Sequence, residues 1–162
     1  MPLLEALIGR AGLLIGVEPS RAMRDRAQAH IDRHGWDNVV LVAASAEEAE
    51  LPRRADAVLF SAVHDVLRSL PALENVFGQL NDGVRVVAVG GKWAPRWLLG
   101  LNLLVMVAHA PFVASFEGFD RPWSHLQRFV PDLRVRPLAW ETGYLAWGTM
   151  RDRDRATGPS GD

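Results

Sequence analysis

Three places in this chain combine residue type and spacing in a way that carries chemistry. Glu18 closes the apolar run Gly12-Leu13-Leu14-Ile15-Gly16-Val17 and passes directly into Pro19-Ser20. A carboxylate presented there can accept two hydrogen bonds from a vicinal diol. Its plainer reading is a helix N-terminal acid stabilised by the dipole, an effect of only ~0.3–1 kcal/mol. His64-Asp65 follows the apolar run Ala57-Val58-Leu59-Phe60. An imidazole at the carboxyl end of a strand can orient an acceptor or take its proton, or serve simply as an N-terminal helix residue beside Asp65. Lys92 is the only lysine and follows Gly90-Gly91, where it can meet an anionic substrate group. No Tyr-x-x-x-Lys precedes it, which argues against a nicotinamide enzyme. Trp93, Trp97, Phe112, Phe116, Phe119 and Trp123 gather after Lys92 and either wall an apolar substrate pocket or pack a core. His30 and His34 share a helix face without further ligands, so they read as an exposed polar face and no metal site is assigned.

These residues need elements to position them, and the hydrophobic period supplies an alternation of strands and helices. The end of an amphipathic helix covers Leu3 to Gly9. Leu13–Val17 reads as a strand buried on both faces. Ser20 caps a helix that reaches His34 and stops at Gly35. Val39–Val42 is a second buried strand, Ala46–Ala49 a short helix or turn, and Ala57–Phe60 a third strand. Helix follows from His64 to Leu80, bent or restarted near Pro71. Asn81-Asp82-Gly83 signals a turn before a strand over Val84–Val89. Ala94–Ala108 reads as a greasy helix, Phe112–Arg121 as a loop and Trp123–Phe129 as a short helix. Leu133–Leu138 and Gly143–Trp147 alternate like a hairpin, and Pro137 places the first of them at a sheet edge. The pattern predicts an α/β sheet with helices on both faces, parallel except at its terminal hairpin.

Composition narrows the class. The 162 residues are 49% hydrophobic and 23% charged with a net charge of −1, which fits a single domain over residues 1–150 and a polar, disordered tail over 151–162. The near-neutral balance argues against nucleic acid as a partner. The absence of cysteine excludes thiol chemistry and disulfides and suits the cytoplasm. The first ten residues show no basic leader or cleavage pattern. Trp97 to Phe116 is apolar but interrupted by Gly100, Asn102, His109 and Pro111, so an interfacial or pocket-covering helix is expected rather than a membrane span.

Four blocks in order carry a resemblance. Glu18-Pro19-Ser20-Arg21-Ala22-Met23, Asn38 through Glu47, Arg54 through His64 and Leu80 through Val87 resemble a class I S-adenosylmethionine-dependent methyltransferase of the small-molecule type. The resemblance implies a Rossmann-like sheet and S-adenosylmethionine as cofactor. It assigns cofactor contacts to Glu18, Pro19, Met23, Ser45, Ala46 and Ser61, with Glu18 on the ribose and Ser45 standing where an acid usually meets the adenine. It further implies a small, apolar or aromatic acceptor held by Lys92, Trp93, Trp97 and Trp123, with His64 as the catalytic candidate. Met23 and Ser45 have equally ordinary readings, as core methionine and turn cap.

The family's first strand, with its Gly-x-Gly-x-Gly loop, has no counterpart before Gly12. That strand sits at the centre of the family's sheet, so the chain reads as N-terminally truncated. Folded as given, it must pair Leu13–Val17 directly with Ala57–Phe60 or expose strand edges that invite self-association. Either outcome impairs cofactor binding by this chain alone. The alternative function is a non-catalytic remnant that acts as an interaction or dimerisation module, and a third is peripheral membrane action on a lipid-like acceptor.

Overall fold

The computed structural model describes residues 2–95, 97–110, 117–139 and 141–150. Helix α1 (Pro2–Ile8) leads to strand β1 (Leu14–Val17), helix α2 (Arg21–His34) and strand β2 (Val39–Val42). Local chemistry sets the limits of α2. The Ser20 hydroxyl accepts the Met23 N–H at 3.5 Å from an extended backbone, and Gly35 ends the helix at φ +63° while its N–H returns to the Asp32 and Ile31 carbonyls. Strands β1 and β2 pair in parallel, Leu14 against Val39 through Val17 against Val42.

A second sheet follows in the order β3-β4-β6-β5. Its members are β3 (Ala55–Ser61), β4 (Leu80–Gly91), β5 (Arg134–Leu138) and β6 (Gly143–Thr149). Strands β3 and β4 run parallel, while β6 runs antiparallel to both β4 and β5. Pro137 lies in the edge strand β5, the position its missing N–H allows. Helices α3 (His64–Arg68) and α4 (Leu70–Gly78) separate at Ser69, whose hydroxyl accepts the Ala72 N–H at 3.2 Å. The main core lies on this sheet, where Leu67, Leu73, Phe77, Val86, Leu126 and Ala146 are buried together. Phe77 stacks on Phe129 at 4.4 Å.

The two sheets share no ladder. Strand β1 pairs only with β2, and β3 only with β4, among the described residues. The direct pairing of Leu13–Val17 with Ala57–Phe60 is therefore not formed. Both strands are more open than their apolar sequences predict. Every residue of β1 is half-buried, and β3 buries only Phe60 while Leu59 is 44% exposed. A strand reaches full burial only when ladders and covering side chains close both sides, and here one edge of each lacks a partner.

Polar side chains join the sheets instead. Asn75 Nδ2 donates to the Ala46 and Ala49 carbonyls at 3.0 and 2.9 Å. Gln79 donates to Ala49 O at 2.8 Å and accepts the Leu51 N–H at 2.7 Å. The Ser69 hydroxyl donates to Glu47 Oε1 at 2.8 Å. This seam fixes the turn after β2 onto α4.

Three expected elements form differently. Asn81-Asp82-Gly83 does not precede its strand but lies within β4 as a bulge, since Ala55 faces Leu80 while Ala57 faces Arg85. Gly83 at φ +69° meets the same conformational demand that a turn would make. The helix expected from Ala94 begins only at α5 (Leu99–His109), because Asn102 engages both the N–H and the carbonyl of Ala94 and holds that segment out of the helix. The short helix near Trp123 is a 3-10 turn over Ser124–Arg128. Phe112, Phe116 and the tail over 151–162 lie outside the described residues. No helix among the described residues is long and apolar enough to cross a membrane.

Candidate active site

The chemistry-bearing residues follow the carboxyl ends of β1, β2, β3 and β4, the strand ends at which open α/β sheets bind ligands. Glu18 follows β1, and its N–H donates to Val42 O at 3.1 Å, which extends the β1–β2 pairing by one residue. Its carboxylate Oε1 accepts the Ser20 N–H at 2.8 Å. Arg24 donates to the Glu18 and Pro19 carbonyls at 3.0 and 2.6 Å, which holds this corner from the helix side. Oε2 has no protein partner among the described residues, so the half-buried carboxylate is oriented by one oxygen and open at the other. Such a group suits a donor pair such as a diol. Met23 is 50% exposed in the first turn of α2, which places it outside the core.

Ser45 lies in the turn after β2, and its carbonyl accepts the Glu48 and Ala49 N–H groups at 3.2 and 2.9 Å. The neighbouring Glu47 carboxyl sits below its ordinary pKa. The Ser69 hydroxyl is the main cause, followed by the Glu47 backbone, with a smaller contribution from Ser45. The carbonyl of Ala46 is committed to Asn75, so that residue helps hold the seam.

After β3 the backbone turns sharply. Ala62 adopts φ +54°, in the left-handed region that a non-glycine residue rarely enters, and its N–H donates to Val89 O at 2.8 Å. Ser61 is exposed on the strand side of that corner. His64 opens α3 and is buried, with Nε2 3.2 Å from the Glu117 carbonyl and its ring 5.0 Å from Phe119. A carbonyl only accepts, so Nε2 carries a proton, and in the neutral ring Nδ1 is the lone-pair nitrogen. Nδ1 is buried without a hydrogen-bond partner.

Strand β4 delivers Lys92 and Trp93. The Lys92 N–H donates to Thr142 O at 2.9 Å, and its side chain is 13% exposed. The ammonium lies 3.3 Å from Trp93 O and 3.8 Å from Glu141 Oε2. Trp93 donates its N–H to Phe119 O at 3.1 Å, and the two rings meet edge to face at 5.2 Å. A cavity of about 500 Å³ is lined by Lys92, Trp93, Ala94, Pro95, Asn102, Asp120 and Glu141.

Lys92 and Trp93 therefore share one cavity, and Phe119 bridges Trp93 to His64. Trp97 and Trp123 do not line it. Trp97 is 79% exposed, and Trp123 packs on Tyr144 at 4.8 Å against the core. Glu18, Met23 and Ser45 belong to the β1–β2 pair, across the seam from Lys92 and Trp93. Sequence reading missed Asn102, Asp120 and Glu141, which reach the cavity from three separate segments. It also missed Ala62, whose residue type gives no signal of a positive φ.

No protein-family model matches the chain, and no curated protein matches it by sequence. Solved structures do match in fold. A putative rRNA methylase from Clostridium thermocellum aligns over 93% of this chain and 80% of its own, with a TM-score of 0.66 at 14% identity. A SAM-dependent methyltransferase from Aquifex aeolicus aligns over 92% and 74%, with a TM-score of 0.61 at 14% identity. The N-methyltransferase NodS from Bradyrhizobium japonicum WM9 aligns over 86% and 74%, with a TM-score of 0.58 at 13% identity. The chain thus has the Rossmann-like fold of class I S-adenosylmethionine-dependent methyltransferases.

Proposed function

We propose that this chain is a methyltransferase domain over residues 1–150 that uses S-adenosylmethionine to methylate a small acceptor. The observation that carries this reading is the Glu18 carboxylate at the carboxyl end of β1, held by Ser20 at Oε1 and open at Oε2. Solved relatives in fold add support, including NodS in complex with S-adenosyl-L-homocysteine. Glu18 would hold the ribose diol, with Pro19, the half-exposed Met23 and the Ser45-Ala46 turn beside the adenine and Ser61 near the methionine end.

Held by these residues, S-adenosylmethionine would supply an activated methyl group for transfer to an acceptor lone pair. The protein's share is to align the acceptor and exclude water. Trp93 and Lys92 give the cavity an apolar wall and a cation partly neutralised by Glu141. His64, the catalytic candidate of the sequence, lies behind Phe119 with its Nδ1 buried, so its part on this reading is to support the Phe119–Trp93 wall of the cavity. The small acceptor accords with the volume of the half-open cavity and the near-neutral charge, and a cytoplasmic setting accords with the lack of cysteine.

Cofactor binding by this chain alone is impaired on this reading, because among the described residues β1 and β3 each carry an unpaired edge and the half-sites beside them share no strand ladder. Titration of the isotope-labelled chain with S-adenosylhomocysteine, followed by NMR, tests both statements. The expected result is a weak, saturable perturbation centred on Glu18–Met23 and Ser45–Ala46, lost in Glu18→Ala. No localised change at millimolar ligand would end the cofactor assignment, and low-micromolar affinity would end the impairment.

The unpaired edges favour a second reading, a non-catalytic module that associates through β1 or β3. A stable dimer by light scattering, together with no ligand response, would select it.

A further inference from the structure

His30 and His34 lie one turn apart near the end of α2, and their rings come together at 4.3 Å between centroids and 48° between planes. His34 Nδ1 is 2.8 Å from the His30 carbonyl. Because that oxygen only accepts, Nδ1 carries a proton and Nε2 is the lone-pair nitrogen of the neutral ring. The His34 ring also stacks on Trp36 at 4.6 Å and 21°, which holds its plane. His30 meets the same indole at 5.3 Å and 67°, and its ring nitrogens have no hydrogen-bond partner among the described residues. His34 is exposed and His30 half-buried, so both rings can be reached from solvent.

We infer that His30 and His34 form a two-imidazole chelate for a divalent late transition-metal ion, with Cu²⁺ bound ahead of Ni²⁺ and Zn²⁺. The i,i+4 spacing sets both rings on one face of the helix. A metal–nitrogen bond of about 2.0 Å and ~1.2 Å from nitrogen to ring centre place each centroid ~3.2 Å from a shared ion, so two imidazoles at a right angle stand ~4.5 Å apart and two at a tetrahedral angle ~5.2 Å. The 4.3 Å found here matches the right angle, which belongs to tetragonal Cu²⁺ and Ni²⁺. The contact from His34 Nδ1 to a backbone carbonyl is the one that metal-ligating histidines ordinarily make, and it fixes the tautomer with Nε2 free to ligate. No group of three or more His, Cys, Asp and Glu side chains forms a metal cluster among the described residues, so water completes the coordination and the ion stays exchangeable. Neither histidine belongs to the proposed cofactor or acceptor contacts.

Titration of the full, isotope-labelled chain with copper(II) chloride in a non-coordinating buffer, followed by calorimetry and NMR, tests the inference. One equivalent binds saturably, and its paramagnetism broadens the amides from His30 to Trp36 before any others. His30→Gln and His34→Gln each lower the affinity at least about tenfold, since even the loss of an outer contact to a ligating histidine costs ~10–100-fold. Thermal unfolding of each variant checks that the fold is retained. Three results would overturn the inference. The chain shows no saturable binding at micromolar Cu²⁺, or the broadening centres elsewhere in the chain, or one of the two variants keeps full affinity. The last would reduce the pair to a contact by a single histidine. None of these readouts depends on methyl transfer.

Discussion

Replacing Asn75 by leucine tests whether polar side chains, rather than a strand ladder, hold the two sheets together. Leucine keeps the branched shape of asparagine and forms helix more readily, so a loss of protection in this variant reports the missing hydrogen bonds rather than a weaker α4. Asn75 Nδ2 serves the Ala46 and Ala49 carbonyls, but Gln79 also donates to Ala49 O at 2.8 Å. Ala49 therefore keeps a partner and only Ala46 O is orphaned. With ~0.5–1.5 kcal/mol per neutral hydrogen bond and the penalty for one half-buried carbonyl, the cost is ~1.5 kcal/mol, about tenfold in an opening equilibrium. No ladder shares the load, so the loss falls on the β1–β2 pair. Native-state hydrogen exchange should show the amides of Val39–Val42 exchanging about tenfold faster, with those of Val86–Ala88 in β4 unchanged. Adding Gln79→Leu also orphans the Leu51 N–H and should widen the gap. An even loss of protection across both sheets would refute the seam as their connection, as would no loss at all.

Glu47 makes the same seam sensitive to pH. Its carboxyl pKa is lowered in the fold, mainly by the Ser69 hydroxyl, so its contribution is present above the ordinary value of 4.5 and is lost as pH falls through the lower folded value. Thermal melts between pH 6 and 3 should show a smaller acid loss in Ser69→Ala; an unchanged slope would remove the Glu47 contact from the seam. Gly118 sits at φ +65°, and a Cβ there would meet the Arg68 guanidinium, so Gly118→Ala should destabilise by ~1 kcal/mol or more in urea titration. A neutral result would show that the turn anchoring His64 adapts freely. Glutamine at His64 keeps a donor for Glu117 O but removes the lone-pair nitrogen, so His64→Gln should retain stability within ~1 kcal/mol; a larger loss would mark the ring's packing on Phe119 as its main role. Leu59→Lys places a charge on the open face of β3, where it should suppress concentration-dependent association in sedimentation velocity. Equal behaviour of the two chains would show that this edge does not self-associate.

What the sequence made legible is what local chemistry decides. Ser20 and Gly35 bounded α2 because a hydroxyl cap and a left-handed glycine act within one turn of chain. Pro137 located a sheet edge because it lacks a donor wherever the strand lies. Asn81-Asp82-Gly83 misled for a related reason, since a positive φ at Gly83 serves a bulge inside β4 as well as a turn before it. Long-range partners were not legible. Nothing near Asn102 announces that its amide holds Ala94 out of a helix, and nothing near Asn75 or Gln79 announces carbonyls some 26 to 30 residues away. Lys92 and Trp93 were found as cavity residues by following the end of an apolar run. Trp97 and Trp123 were assigned by the same aromatic clustering and went elsewhere, because clustering in sequence does not fix which way a ring faces.

The division of the fold passes through the proposed site. Glu18, Met23 and Ser45 ride on the β1–β2 pair, while His64, Lys92 and Trp93 ride on the larger sheet. On the methyl-transfer reading, one ligand touches both groups and adds a bond between the two sheets beside those of the seam. Linkage then requires that the ligand protect the seam and that the seam strengthen the ligand. S-adenosylhomocysteine should slow exchange at Val39–Val42, and Asn75→Leu should weaken its binding although Asn75 touches no proposed cofactor atom. If Asn75→Leu loosens the β1–β2 pair and leaves affinity unchanged, the ligand engages only one layer. Glu18 and the Lys92 cavity would then be separate sites rather than two halves of one.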